Sequence, residues 1–223
     1  MKRDAETAAR SWVAERDGFL DPATAAALYE RFRDLRVDSA EFYIAECDRL
    51  SPASRRALGR QFPPQVVDFL IRHLGRLLEA APPAIRAAAH GFEIWTSHVG
   101  KVEESHSYVH IDNDEALRAR TGNVRPPLMG SVLYLGPAAG LAGGETYFIH
   151  DAAAEALGPV FRFFDWAELS ALGPGIHVTR PVPGRLAMFA GHMPHGQAPV
   201  TRVDLGAPRV VFLANIWDAP IGC

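Results

Sequence analysis

Residues 130–136 read GSVLYLG, a mostly apolar run closed at both ends by glycine. Runs of the same texture fill the second half of the chain: FEIWTSHV (92–99), SYVHI (107–111), ETYFIH (145–150), IHVTRPV (176–182), RLAMFA (185–190) and RVVFLANIW (209–217). Gly and Pro clusters separate them, the punctuation of short strands joined by turns. Residues 4 to about 89 read as helices instead. Asp21-Pro22 marks a helix start, with Ala26, Leu28, Tyr29, Phe32 and Leu35 following at helical spacing. Over 63–80, Val66, Val67, Phe69, Leu70, His73, Leu74, Leu77 and Leu78 form an apolar stripe between Pro63-Pro64 and Pro82-Pro83. His73 on that stripe reads as a packed core histidine. A helical first half before seven strand-like runs predicts an α+β chain: a pair of antiparallel sheets or a barrel, with helices on one outer face.

Composition is consistent with one globular domain, divided into a helical part (1–90) and a β part (91–223). The 223 residues are 48% hydrophobic and 22% charged, enough apolar material for a sizeable core. The formal charge is −3, with +1 before His90 and −4 after it, so no basic face invites nucleic acid or an anionic membrane. The start, MKRDAETAARSWVAERD, is charged without an apolar stretch, and no run approaches the roughly 18 apolar residues of a membrane span. These features predict a cytoplasmic protein. Cys47 and Cys223 form neither a zinc pattern nor a disulfide framework and read as free thiols. The segment 151–172 interrupts the strands as one or two short helices or a folded loop placed to cover a site.

The chemistry-bearing residues are His110 and Asp112 in YVHIDN, His195 in GHMPHGQAPV, and Arg209 at the start of the last run. Residues two apart on a strand share a face, so His110 and Asp112 can ligate one metal while Ile111 packs behind. A second histidine from a distant strand completes two imidazoles and a carboxylate, the facial set that suits non-haem Fe(II) with open coordination positions. Alone, HxD is a short pattern that a surface turn also produces.

The order of the blocks is more specific. Tyr108-Val-His110-Ile-Asp112-Asn, Leu133-Tyr134-Leu135, Gly143-Gly144-Glu145-Thr146-Tyr147-Phe148, Gly184-Arg185-Leu186-Ala187-Met188-Phe189 with His195 and Pro199-Val200, and Arg209 to Trp217 follow one another. In this order the sequence, from about Gly91 to Trp217, resembles the Fe(II)/2-oxoglutarate-dependent oxygenases, most closely their prolyl-hydroxylase-like branch. The resemblance implies a double-stranded β-helix (jelly-roll) core with the N-terminal helices packed on one sheet. It implies Fe(II) on His110, Asp112 and His195, with 2-oxoglutarate and O₂ as cosubstrates. Arg209 would hold the distal carboxylate of 2-oxoglutarate through its planar guanidinium, with Tyr134 as a phenol donor to the same group.

Two departures from the family pattern stand out. Arg209 lies fourteen residues after His195, with VDLGA inserted in the turn, so Arg202 competes for its role. Arg209 is preferred because it opens an apolar strand. Val211 stands where relatives carry a hydroxyl, which leaves Tyr134 or Thr201 to supply the second hydrogen bond. His192 rivals His195, and His98 either touches the cosubstrate or is a buried structural histidine. Arg118, Arg120 and Arg125, in the polar stretch after HxD, would overhang the metal and recognise an anionic substrate group, or form a solvated loop. Trp95, Phe163, Phe164 and Trp166 would line an apolar wall or belong to the core.

Retention of Asp112 implies hydroxylation rather than halogenation, with release of succinate and CO₂. The size of the chain favours a small-molecule substrate, such as an amino acid or a biosynthetic intermediate. A peptidyl (prolyl-type) hydroxylase, a cupin-type dioxygenase without cosubstrate and a non-catalytic metal-binding barrel are the competing readings. The N-terminal helices serve either as a brace on the sheet or as the face of a homodimer.

Overall fold

The computed structural model describes residues 11–35, 40–45, 49–50, 56, 60, 64–102, 106–158 and 160–221. Cys47 and Cys223, read above as free thiols, and the charged start up to residue 10 lie outside the described residues. In chain order the first strands are β1 (Val13–Arg16), β2 (Ala40–Ala45), β3 (Arg49–Leu50), β4 (Gly91–Val99), β5 (His106–Val109), β6 (Met129–Gly136) and β7 (Leu141–Gly143). The remainder are β8 (Thr146–Ile149), β9 (Arg162–Asp165), β10 (Ile176–Thr179), β11 (Leu186–Ala190), β12 (His195–Gln197), β13 (Val200–Val203) and β14 (Arg209–Trp217). The helices are α1 (Pro22–Phe32), α2 (Pro64–Ala80), α3 (Pro83–Ala88), α4 (Glu115–Thr121), α5 (Asp151–Leu157) and α6 (Trp166–Ser170).

Seven strands form one antiparallel sheet in the order β1-β11-β6-β14-β4-β2-β3. Facing it are the shorter groups β10-β8-β12, β13-β7 and β5-β9. A bridge between His110 and His195 ties β5 to β12. These two walls are the jelly roll implied by the resemblance.

Side-chain alternation along the central strands makes two cores. Leu133, Leu135, Val210, Phe212, Ala214 and Ile216 point outward, into one cluster with Phe69, Leu70, Leu74 and Leu77 of α2. Val132, Tyr134 and Val211 point inward and pack with Phe148 and Phe189. A period-2 strand between two apolar layers must be buried on both faces, and β6 is buried along its whole length. The apolar stripe of α2 is thus covered by the sheet, each fully buried leucine or phenylalanine contributing about 1.5–3 kcal/mol of transfer free energy. His73 sits in this layer, stacked on Phe69 and edge-on to Phe19 and Phe212, as the core reading requires.

α1 begins as its sequence predicts, with Asp21 accepting the Thr24 backbone N–H at 2.9 Å. The helical reading of residues 4–89 needs correction, because β1 and β2 also lie there. They pair with β11 and β4, extending the large sheet on both sides. VAER (13–16) has no alternation to reveal it; its partner strand makes it a strand. The 151–172 segment holds α5 and α6, with β9 between them paired to β5, the strand that leads into HxD. The stretch after HxD is also ordered. It forms α4, capped by Asp114 at Leu117 N and closed by Gly122 at φ 77°.

Candidate active site

The walls meet at the His110–His195 bridge. His110 N–H donates to His195 O at 3.0 Å and His195 N–H donates to His110 O at 2.8 Å, which holds the two rings 4.5 Å apart on one side of the strand pair. Asp112 faces both: its Oδ1 lies 3.5 Å from His110 Nε2 and its Oδ2 3.7 Å from His195 Nε2. One ligand atom from each residue falls within a 4.8 Å cluster. His192, the rival of His195, lies instead beside Asp151 at 3.7 Å.

The protonation chemistry fits a metal. His195 is 5% exposed, and burial, aided by His110 and opposed by Asp112, pushes its imidazole down to about 4, so it is neutral at physiological pH. Its Nδ1 lies 3.0 Å from Met193 O; with the proton there, the Nε2 lone pair points into the cluster. Burial alone would raise the Asp112 carboxyl, but His195, His110 and a hydrogen bond from Asn215 outweigh it and hold the group below its usual range. Two imidazoles and one carboxylate on one face are the donor set for Fe(II).

An inner pocket opens on one side of the cluster, lined by Trp95, Ser97, His110, Val132, Thr146, His195, Gly196, Gln197, Arg209, Val211 and Leu213. Arg209 is 2% exposed and donates from Nε to Gly144 O at 2.7 Å and from its guanidinium to Thr146 Oγ1 at 3.4 Å. The Gly143-Gly144 pair makes this possible. Both glycines have left-handed φ, of 77° and 72°, and a Cβ on Gly144 would stand 2.8 Å from Arg209 Cδ.

Not every residue singled out in the sequence reaches this pocket. Tyr134 is buried one step behind it, with its hydroxyl donating to Thr146 Oγ1 at 2.6 Å and its ring 5.7 Å from the Arg209 guanidinium; burial pushes its phenol up to about 12. Thr201 is exposed, because the β13–β7 register shifts between Val200 and Arg202 and turns it away from the interior. Arg202 is exposed beside it, while Arg209 is buried. His98 sits on the even-numbered face of β4 and meets Phe32 O at 2.6 Å, on the helical side of the sheet. Strand parity separates it from Trp95 and Ser97.

The arginines after HxD are also engaged elsewhere. Arg118 pairs with Glu115 at 3.3 Å and lies over Phe161. Arg125 donates to Ala219 O and Pro220 O, at 3.1 and 2.8 Å, and pairs with Asp114. Arg120 is exposed at the end of α4. None of the three lines either pocket described here. On the other side of the metal cluster, an outer pocket is lined by Glu93, Trp95, His110, Ile111, Asp112, Asn113, Glu115 and Asn215.

Thr146, Ser97, Glu93 and Asn215 escaped the sequence reading. Parity was the available signal: Glu93 and Ser97 flank Trp95 at intervals of two, and Asn215 lies six residues beyond Arg209 on the same strand.

Comparisons place this architecture among known folds. No family model and no curated protein matches the sequence. Among solved structures, EvdO2 from Micromonospora carbonacea var. aurantiaca superposes with a TM-score of 0.53 at 15% identity, over 97% of this chain and 90% of that one. The same protein complexed with 2-oxoglutarate gives 0.53 at 14% identity, over 99% and 91%. A Pseudomonas putida prolyl-4-hydroxylase is also similar, with a TM-score of 0.48 and 16% identity over 96% and 97%. No helix among the described residues is long and apolar enough to cross a membrane. The chain shares its fold, a double-stranded β-helix of two antiparallel walls, with a protein crystallised with 2-oxoglutarate.

Proposed function

We propose that the protein is an Fe(II)- and 2-oxoglutarate-dependent dioxygenase that hydroxylates a C–H bond of a small molecule, releasing succinate and CO₂. The observation that carries this reading is the pairing of a His110–Asp112–His195 cluster with a buried arginine in one adjoining pocket. A cupin-type enzyme without cosubstrate has no use for a guanidinium there.

His110, Asp112 and His195 hold the metal, and Fe(II) with 2-oxoglutarate and O₂ supplies the oxidising chemistry when bound. Arg209 grips the distal carboxylate of 2-oxoglutarate, with charge-assisted hydrogen bonds strengthened by burial. Its direction is set by Gly144 O and by Thr146, which Tyr134 holds in turn. Val211 offers no hydroxyl, but its cross-strand neighbour Ser97 lines the same pocket and supplies one. Trp95, whose register partner Leu213 lines the inner pocket, is the apolar side chain that lines both pockets.

A peptidyl substrate is the second reading. It is favoured by the exposed, register-paired Tyr108 and Phe163, 5.1 Å apart, with Tyr108 stacked on His110.

The test is an anaerobic Fe(II) titration with and without 2-oxoglutarate, following the visible charge-transfer band of a chelated 2-oxo acid. A band that appears with 2-oxoglutarate and is lost in His195→Ala supports the assignment. Iron binding with no band at any 2-oxoglutarate concentration refutes it.

A further inference from the structure

The two imidazoles of the cluster share a backbone bridge but differ in what fixes their rings. The His195 side chain is 6% exposed, and its Nδ1 meets Met193 O at 3.0 Å. The His110 side chain is 34% exposed, and its Nδ1, although shielded from solvent, has no hydrogen-bond partner. A ligating histidine is ordinarily held by a hydrogen bond from its second ring nitrogen, which fixes both tautomer and ring rotation. Nε2 is the nitrogen of His110 that faces Asp112, at 3.5 Å, so a ring that ligates through Nε2 carries its N–H on the unanchored Nδ1.

Side-chain rotation is the freedom left to this ring, because both backbone groups of His110 are engaged with His195. Tyr108, two residues earlier on the same strand face, restrains it by another means. Its ring is stacked on that of His110, with centroids 5.5 Å apart and planes 20° apart. Phe163, the register partner of Tyr108 on β9, leans on the tyrosine from across the strand pair with centroids 5.1 Å apart. Tyr108 is 40% exposed and Phe163 68%, so packing of the protein interior does not account for the pair.

We propose that Tyr108 is a positioning residue for the metal: its ring, backed by Phe163, sets the rotation of the His110 imidazole, the task that Met193 O performs for His195. The proposal rests on the reading of His110, Asp112 and His195 as a metal centre. Such a centre has one imidazole fixed by a buried hydrogen bond and one whose angle depends on an aromatic contact open to solvent.

The test is a Co(II) titration of protein carrying isotopically labelled histidine, following both affinity and the hyperfine-shifted N–H resonance of each ligating ring. The resonance lost in His110→Ala at saturating Co(II) is that of His110. In the unsubstituted protein the His195 N–H should exchange with solvent about tenfold or more slowly than the His110 N–H, since only the former is hydrogen-bonded. Tyr108→Ala should weaken Co(II) binding about tenfold, the lower end of what changes around metal ligands produce, and should move the His110 resonance while leaving that of His195 in place. Tyr108→Phe keeps the flat ring and should retain both affinity and resonance; Tyr108→Leu, with apolar bulk but no flat face, should behave as Tyr108→Ala. Equal protection of the two N–H groups, a Tyr108→Ala protein indistinguishable from its parent, or a Tyr108→Leu protein matching Tyr108→Phe overturns the proposal. The exchange comparison uses the unsubstituted protein, so it stands even if a variant fails to fold. If Co(II) does not bind the unsubstituted protein, the metal centre falls and the proposal with it. If the expectations hold yet no 2-oxoglutarate band forms on Fe(II), Tyr108 keeps its role and the oxygenase reading falls.

Discussion

His110 and His195 are hydrogen-bonded to each other only through their backbones, each N–H meeting the other's carbonyl. The strand pairing is therefore independent of the imidazoles it positions. His110→Ala and His195→Ala should each keep the fold while lowering Fe(II) affinity by more than about a hundredfold, since outer-shell changes alone reach 10–100-fold at metal sites. Metal titration alongside circular dichroism checks this. Metal binding that survives both substitutions would remove these residues from the ligand set.

Arg209→Lys keeps the charge but loses the planar fork and its contacts with Gly144 O and Thr146. The affinity for 2-oxoglutarate should fall by about tenfold or more, while Fe(II) affinity stays near that of the parent protein. Calorimetric titration of each separates the two effects, and equal losses in both would place Arg209 in the structural frame only.

Gly144→Ala puts a methyl group 2.8 Å from Arg209 Cδ at a left-handed φ of 72°. The conformation alone costs about 1–2 kcal/mol, and displacement of Arg209 should weaken 2-oxoglutarate binding. Urea melts and cosubstrate titration read the two parts. Unchanged cosubstrate binding would mean that Arg209 does not depend on the Gly144 approach.

His73 gives the fold an acid sensitivity unconnected with catalysis. Burial, with a smaller push from Arg76, lowers its pKa to about 3, and neither ring nitrogen has a hydrogen-bond partner. Between its ordinary value of 6.5 and about 3, the unfolded chain holds a proton that the folded one does not. Stability from this group is thus complete above pH 6.5 and falls by about 1.4 kcal/mol per pH unit as the solution is acidified. His73→Leu should flatten that limb and raise the neutral-pH melting temperature. Parallel acid limbs in the two proteins, measured by denaturant melts at several pH values, would count against the assignment.

Much of the candidate site was legible because it depends on residue type and parity. HxD on an extended segment, a distant histidine and an arginine opening an apolar strand led to His110, Asp112, His195 and Arg209, which the structure brings together around adjoining pockets. The strand that carries Thr201 is not among the strand-like runs of the sequence, and its register shift was no more legible, since a bulge depends on the partner strand. β1 and β2 escaped for a related reason: their conformation comes from the edges they join. For the arginines after HxD the sequence left a substrate contact and a solvated loop both open, because charge type is visible in a sequence and its partners are not; Glu115 holds Arg118, and Asp114 with the carbonyls of Ala219 and Pro220 holds Arg125.

The in-register pairing of β4 with β14 sets distances as well as faces. From Arg209 to Asn215 the face advances six residues, about 20 Å at roughly 3.3 Å per residue, and every row has its register partner on β4. Such a face works as a ruler. A group held at one row of this face stands at a set distance from a group held at another. Moving a contact along the face takes a whole pleat, about 7 Å, a step that rearrangement of the surrounding loops does not supply.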